Sequence, residues 1–275
     1  MRSRRIDFSR YSSIRIGPVA EVAVLERGDR PLREAVVIGG ANNLLVGPAP
    51  PPLMMLGKDF DAIRLQEGRL VVGAATPTGR LLSFCKRNDI GGFEFVAKLP
   101  GTVGGMLAMN AGVKEHEIFN LLLEVTTEKG RFAKEGIPHG YRFAHLPGVA
   151  LEAHFALRRG FDESLAATLG ELRAGQPGEP SAGSTFKNPP GDFAGRLLEK
   201  AGLRGYRIGG MAFSERHANF LVNLGGGSFE EAIALIELGR RRVRERFGIL
   251  LEPEVKILDT SARREPPMRS SALES

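Results

Sequence analysis

Ser184, Lys187 and Asn188 stand together in the stretch PSAGSTFKNP, residues 180–189, behind the small-residue turn Ser181-Ala182-Gly183. A hydroxyl, an ammonium and an amide so close can place a proton donor beside groups that hold an anion. Neither a packed core nor an ordinary surface loop calls for that set. Glu254, after Pro253 at the head of the apolar run EVKIL, and Arg142, in the tripeptide GYR, are two more charges with no evident packing duty. Singly, the three read as a turn serine, a strand-edge carboxylate and a surface arginine. No triad accompanies the serine: GxSxG is absent, and His116, His139, His145, His154 and His217 lie in no nucleophile-elbow context. The histidines also lack HExxH spacing or paired carboxylates, so no metal is expected.

Two glycine-rich loops offer backbone rather than side-chain chemistry. GGANNLLV, residues 39–46, follows a strand-like run, and its small residues let amides approach a diphosphate. It is not the GxGxxG of a dinucleotide fold, and an ordinary strand-to-helix turn would also explain it. In LPGTVGGMLAMNAG, residues 99–112, Thr102, Gly104, Gly105 and Asn110 offer donors to a phosphate or a flat heterocycle.

The elements that must position these residues alternate between strands and helices. AEVAVLERG and REAVVIGG read as strands, with room between them for only a short helix; PAPPP after Gly47 is a spacer that cannot join a regular element. LMMLGKDFDAIRLQEGRLVVGAA gives short strands, TGRLLSFCKRNDI a helix, and LLLEVTTEKGRFA and GVALEAHFALRRG further strands. FDESLAATLGELRAGQ is a helix capped by Asp162, and a domain boundary is placed near Arg159-Gly160. DFAGRLLEKAGL and FEEAIALIELGRRRVRERFG are amphipathic helices, and ILLEPEVKIL is the last strand.

With 275 residues, 42% hydrophobic and 25% charged, the chain is an ordinary globular one of two or three modest domains. Its 35 glycines, many in doublets, mark tight turns or close approach to a ligand. Cys85 stands alone, which excludes a disulfide framework, and it reads as a packed helix residue. The basic MRSRRIDFSRYSS has no apolar h-region, and no run is long enough for a membrane span, so the expectation is a cytoplasmic protein. A net charge of +6 suits an anionic ligand or a nucleic acid. No aromatic platform accompanies the arginines of GRRRVRERFG, which favours the ligand and a solvated helix face.

Taken in order, YSSIRIG, VIGGANNLLV, LPGTVGGMLAMNAG, YR, PSAGSTFKNP, AGLRGYRIGG, ERHANFLVN and EPEV resemble the motif series of the UDP-N-acetylenolpyruvoylglucosamine reductases, the MurB family of peptidoglycan synthesis. The match runs from about residue 11 to 258. The tail, 261–275, has no buried pattern and is expected to be disordered. The resemblance implies an α+β protein: a vanillyl-alcohol-oxidase-type FAD-binding fold of two lobes, residues 1–57 and 58–159, and a C-terminal α+β substrate-binding domain, residues 160–260. It implies bound FAD, reduction of the flavin by NADPH, and reduction of the enolpyruvyl ether of UDP-N-acetylglucosamine enolpyruvate to UDP-N-acetylmuramate by a monomer that uses neither nucleic acid nor membrane. A flavin-dependent oxidase of the same fold is the alternative.

By the same resemblance Gly39, Gly40, Ala41, Asn42, Asn43 and Leu44 cradle the FAD diphosphate, and Pro100, Gly101, Thr102, Gly104, Gly105, Asn110 and Ala111 lie along the diphosphate and isoalloxazine. Ser184 matches the family's proton donor, and Arg142 and Glu254 its other two active-site residues; Asn188, Lys187 and Tyr141 face the substrate. Ala144 stands where the family has a serine, and the connection between YRFAH and VALEAHF leaves no space for the tyrosine-bearing loop of one subclass.

Overall fold

The structure, a computed structural model, describes residues 1–173 and 175–261. The first sheet runs in the order Arg2–Asp7, Val19–Leu25, Leu53–Leu56, Val36–Ile38. Its first pair is antiparallel and the others are parallel, Val22 facing Leu53 and Val37 facing Met54. The four-residue helix α1, Phe8–Tyr11, joins the first two strands, with Asp7 accepting from the Ser9 amide as its cap. Between Leu25 and Val36 the chain makes turns and no helix: Gly28 takes a φ of 92° and Pro31 has no amide to donate. The proline run after Gly47 is irregular, as its missing donors require.

The second sheet is antiparallel, in the order Gly130–Ala133, Leu122–Thr127, Ala150–Ala156, Arg69–Gly73, Ile63–Gln66. Alternation divides its faces. Leu70, Val72, Val125, Ala153 and Phe155 are buried in a core with Leu81 and Cys85, while the opposite face carries Glu124 and Glu152, ion-paired to Arg64, Arg69 and Arg131, with the His154 ring against both carboxylates. Helix α2, Thr78–Arg87, covers the core face, since Leu81 and Cys85 fall one turn apart on its apolar side. Helix α3, Val103–Ala108, begins inside the second glycine loop, capped by Thr102.

Helix α4, Glu163–Glu171, is capped by Asp162 and packs on the turn Glu94–Val96. The third sheet, Ser181–Ser184, Phe220–Asn223, Met211–Phe213, Arg207–Ile208, is antiparallel. Helices α5, Ala194–Lys200, and α6, Phe229–Phe247, cover it. A capping box of Ser228 and Glu231 starts α6, and Gly248 at a φ of 70° ends it. Its arginines meet solvent or nearby groups: Arg240 pairs with Glu237, and Arg242 lies over the Tyr206 ring at 4.9 Å. No helix among the described residues is long and apolar enough to cross a membrane.

The C-terminal segment corrects one expectation. Of ILLEPEVKIL only Lys256–Leu258 is a strand. It leaves the third sheet and pairs in parallel with Leu44–Val46, Ile257 opposite Leu45. Pro253 cannot donate to a ladder, and residues 252–255 lie along residues 185–187 instead. One core therefore joins Ile14, Ile16 and Leu45 to Phe186, Phe213, Leu235 and Ile236. The Asn223 amide adds bonds to the carbonyls of Ile14 and Arg15 at 3.1 and 3.2 Å. Of the tail expected to be disordered, residues 262–275 lie outside the described residues.

Candidate active site

The two glycine loops meet. A Cβ on Gly39 would stand 2.6 Å from Thr102 Oγ1, and one on Gly40 3.4 Å from the Gly101 Cα. Bare backbone is what lets the loops approach. The Tyr11 hydroxyl donates to the Gly39 carbonyl at 2.8 Å and anchors the first loop; the Thr102 hydroxyl accepts from the Gly105 amide at 3.3 Å and shapes the second. Beside this contact, between the first and second sheets, opens a cavity of about 920 Å³ walled by Gly39, Gly40, Thr102, Gly104 and Gly105, a volume in the range that holds a large ligand. Tyr11, residues 31–35, the hairpin tip Glu128-Lys129 and Pro147-Gly148-Val149 are also part of the wall. Sequence reasoning assigned these no ligand role, although Tyr11 heads the motif YSSIRIG.

The other loop residues do different work. Ala41 is buried at a φ of 50°, and the Asn42 side chain folds back towards Gly40. Leu44 is in the strand paired with Lys256. The Gly101 carbonyl accepts from the Thr78 amide, and Pro100 is exposed. The Asn110 side chain is buried and spent within the protein, donating to Glu117 at 2.8 Å and to the Gly140 carbonyl and accepting from the Phe119 amide. The Ala111 amide bonds to the Met106 carbonyl. These residues build the loop, and the cavity wall is formed by others.

Asn43 connects the loops to the polar centre. Its amide donates to the Glu254 carbonyl at 3.1 Å and lies 3.6 Å from Met109 Sδ, just past α3. Glu254 is fixed from the other side as well, its amide donating to the Thr185 carbonyl at 2.8 Å. Ser184 ends its strand opposite Phe220, one residue from that contact. The Asn219 side chain holds the turn that follows, accepting from the Phe186 amide at 3.0 Å and donating to the Phe186 carbonyl at 2.8 Å. Thus HANF braces the serine's strand from within. His217 accepts from the Asn219 amide through Nδ1, and burial lowers its pKa, so it serves as a neutral acceptor.

Arg142 arrives from the short hairpin His139–Gly140 with Phe143–Ala144, at a φ of 61°. Its Nε stands 3.1 Å from Glu254 Oε1, and its Nη2 donates to the Gly112 carbonyl at 3.3 Å. The two side chains are 23% and 15% exposed, so the pair is largely withdrawn from water. Burial raises the pKa of Glu254; Arg142 first, then Lys187 and Lys256, act against it. The Ser184 hydroxyl is half-buried and makes no hydrogen bond among the described residues.

Of the other site candidates, Tyr141 is 46% exposed and lies under the Arg142 guanidinium at 5.2 Å. Lys187 reaches Glu252 at 2.6 Å, and Asn188 Oδ1 accepts from the Ala194 amide, closing the loop into α5. The arrangement is a guanidinium ion-paired to a partly buried carboxyl, whose backbone lies against the strand end that carries the uncommitted Ser184 hydroxyl; none of the three lines the cavity, which reaches Ala108, the neighbour of Met109, and Asn43 links the two regions. It can bind an anionic group and deliver a proton beside a large bound ligand.

Residues 176–258 match the family model for the C-terminal domain of UDP-N-acetylenolpyruvoylglucosamine reductase. The chain is 46% identical over 253 residues to the UDP-N-acetylenolpyruvoylglucosamine reductase of Helicobacter pylori (strain ATCC 700392 / 26695), covering 92% of this chain and 98% of that one. It is 45% identical to the Helicobacter hepaticus protein of the same name, over 94% of this chain and all of that one (100%). The crystal structure of UDP-N-acetylenolpyruvylglucosamine reductase (MurB) from Thermus caldophilus superposes with a TM-score of 0.81 at 32% identity, covering 94% and 99% of the two chains. Similarity at this level, along nearly the whole length and in the fold, means that the chain belongs to the UDP-N-acetylenolpyruvoylglucosamine reductase family.

Proposed function

We propose that this chain reduces the enolpyruvyl ether of UDP-N-acetylglucosamine enolpyruvate to the lactyl ether of UDP-N-acetylmuramate, in peptidoglycan synthesis, using NADPH and bound FAD. The observation that carries the reading is the Arg142–Glu254 ion pair, whose glutamate backbone is held both by the Ser184–Thr185 strand end and by Asn43 of the first glycine loop. Family membership supplies the substrate. The cavity fits a flavin dinucleotide in kind: a diphosphate needs backbone donors without Cβ atoms in the way, and Gly39, Gly40, Gly104 and Gly105 provide such a rim. When bound, FAD supplies the hydride that reaches the terminal carbon of the enolpyruvyl group.

The chain's own residues do the rest. Arg142 takes the substrate carboxylate in its planar fork and offsets the negative charge that grows there during reduction. Ser184 gives its proton to the neighbouring carbon, which is far more basic than a hydroxyl once it carries that charge. Glu254, ion-paired to Arg142, donates to or orients the developing enol. Lys187 and Asn188, with Tyr141 across the site, face the nucleotide sugar. The vanillyl-alcohol-oxidase type of flavin fold is part of the proposal, with lobes 1–57 and 58–159 around the cavity and residues 160–260 closing the substrate side. So are a monomeric state and a cytoplasmic location.

The absorption spectrum of the purified protein tests the function. Flavin bands that bleach anaerobically with NADPH and return on addition of UDP-N-acetylglucosamine enolpyruvate are expected. Colourless protein after FAD reconstitution, or reduced flavin that oxygen reoxidises and the UDP-sugar leaves untouched, would exclude this reaction, and the second result would indicate an oxidase.

A further inference from the structure

We infer that the substrate's carboxylate displaces Glu254 from Arg142, and that the displaced Glu254 takes up a proton from solvent, so that binding itself converts Glu254 from a carboxylate into a hydrogen-bond donor. The inference rests on the proposed function for the identity of the entering carboxylate.

The geometry makes the exchange a competition for one group. Arg142 Nε is engaged with Glu254 Oε1 at 3.1 Å, and Arg142 Nη2 is bound to the Gly112 carbonyl. A second carboxylate that takes the Nε edge of the guanidinium must take it from Glu254. Glu254 cannot leave the site, because its backbone is held on both sides, by the Thr185 carbonyl at 2.8 Å and the Asn43 amide at 3.1 Å. Its side chain, 15% exposed, then stays beside an added negative charge with its principal counter-charge neutralised.

The other groups facing it do not make up the loss. Lys187 is drawn to Glu252 at 2.6 Å, Lys256 projects from an exposed strand position, and Arg173, its own pKa lowered by burial and then by Arg142, is not among the charges acting on Glu254. Burial already raises the Glu254 pKa, with Arg142 the largest influence against it. Neutralising Arg142 and adding a carboxylate both push in the direction of burial. The proton goes from buffer to the Glu254 carboxylate, and no bond of the substrate changes. The consequence is timing: Glu254 accepts from Arg142 in the free protein and becomes a donor toward the enolpyruvyl group only when that group is present.

The test is calorimetric titration of the oxidised, FAD-loaded protein in buffers of different ionisation enthalpy at about pH 7, which reads protons taken up per ligand bound. UDP-N-acetylglucosamine enolpyruvate should bind to the wild type with net proton uptake, and its association constant should fall with rising pH, towards about tenfold per unit where uptake is complete. UDP-N-acetylglucosamine, which lacks the carboxylate, should bind without uptake. Glu254→Gln should bind the enolpyruvyl substrate with the uptake abolished. Wild-type binding of the enolpyruvyl substrate without proton uptake overturns the exchange while leaving the proposed function intact, as does uptake that persists in Glu254→Gln. Failure of the wild type to bind that substrate removes both. If Glu254→Gln loses affinity, absence of uptake in the wild type still overturns the exchange.

Discussion

Replacing Arg142 by methionine should destabilise the protein by an amount that depends on pH in a calculable way. The guanidinium stands 3.1 Å from Glu254 Oε1 with both side chains mostly out of water. Removing one partner of such a pair costs about 3–5 kcal/mol when the remaining charge has no escape. Glu254 has one, since it can bind a proton. An unperturbed glutamate titrates near ~4.3, so keeping the carboxyl neutral costs at most ~3.7 kcal/mol at about pH 7 and ~1 kcal/mol at about pH 5. Residual exposure and the nearby Lys187 and Lys256 bring the expected loss below that ceiling, to about 2–3 kcal/mol near neutrality. The direction follows from linkage. A glutamate whose folded pKa lies above its unfolded value binds more protons when folded, so folding loses stability as pH rises from ~4.3 through the folded value. Loss of Arg142 extends that window upward. Urea unfolding of wild type, Arg142→Met and Arg142→Met/Glu254→Gln, with FAD in excess, should show curves that converge at about pH 5 and separate at about pH 7.5, with much of the loss recovered in the double variant. A deficit that is equal at both pH values and unrelieved by Glu254→Gln would refute the reasoning.

Gly39→Val should purify with little or no flavin, because its Cβ would meet Thr102 Oγ1 at 2.6 Å, and adding Thr102→Ala should restore part of the flavin content at a cost of about 1 kcal/mol for the lost helix cap. Asn223→Ala removes bonds to the carbonyls of Ile14 and Arg15 and to the amides of Gly225 and Gly227, and should lower the urea-unfolding free energy by roughly 2–3 kcal/mol. Cys85 is buried in α2 and its thiol is pushed up to about 12, so a thiol reagent at about pH 8 should modify it only on the timescale of unfolding; rapid labelling of folded protein would contradict that packing.

The helices and the cap at Asp162 follow from local signals, period and capping residues, and the structure has them where those signals lie, whereas Ser181-Ala182-Gly183, read as a turn, begins the strand Ser181–Ser184. What local signals do not carry is pairing between distant segments. EVKIL has the composition of a strand, but nothing in it says that Lys256–Leu258 will leave the third sheet and lie beside Leu44–Val46. That pairing carries Glu254 to the glycine loops, since the strand on Leu44–Val46 begins two residues after it. The motif order brought Arg142, Glu254 and Ser184 into one hypothesis, yet a linear reading has no means of supplying the 3.1 Å ion pair. It also merged two roles within the glycine loops. Gly39, Gly40, Thr102, Gly104 and Gly105 wall the cavity, whereas Asn43 and Asn110 spend their amides on protein carbonyls and carboxylates. Both kinds of residue look alike in sequence because a loop that presents backbone to a ligand needs side chains to hold it in shape.

The central claim is that Ser184 delivers the proton after hydride transfer. It is tested most directly by separating the two half-reactions in Ser184→Ala. The variant should retain bound flavin and its reduction by NADPH at the wild-type rate, while reoxidation of the reduced protein by UDP-N-acetylglucosamine enolpyruvate slows by about 100-fold or more, the scale of a positioned general acid. Reoxidation at the wild-type rate in stopped flow would contradict the account.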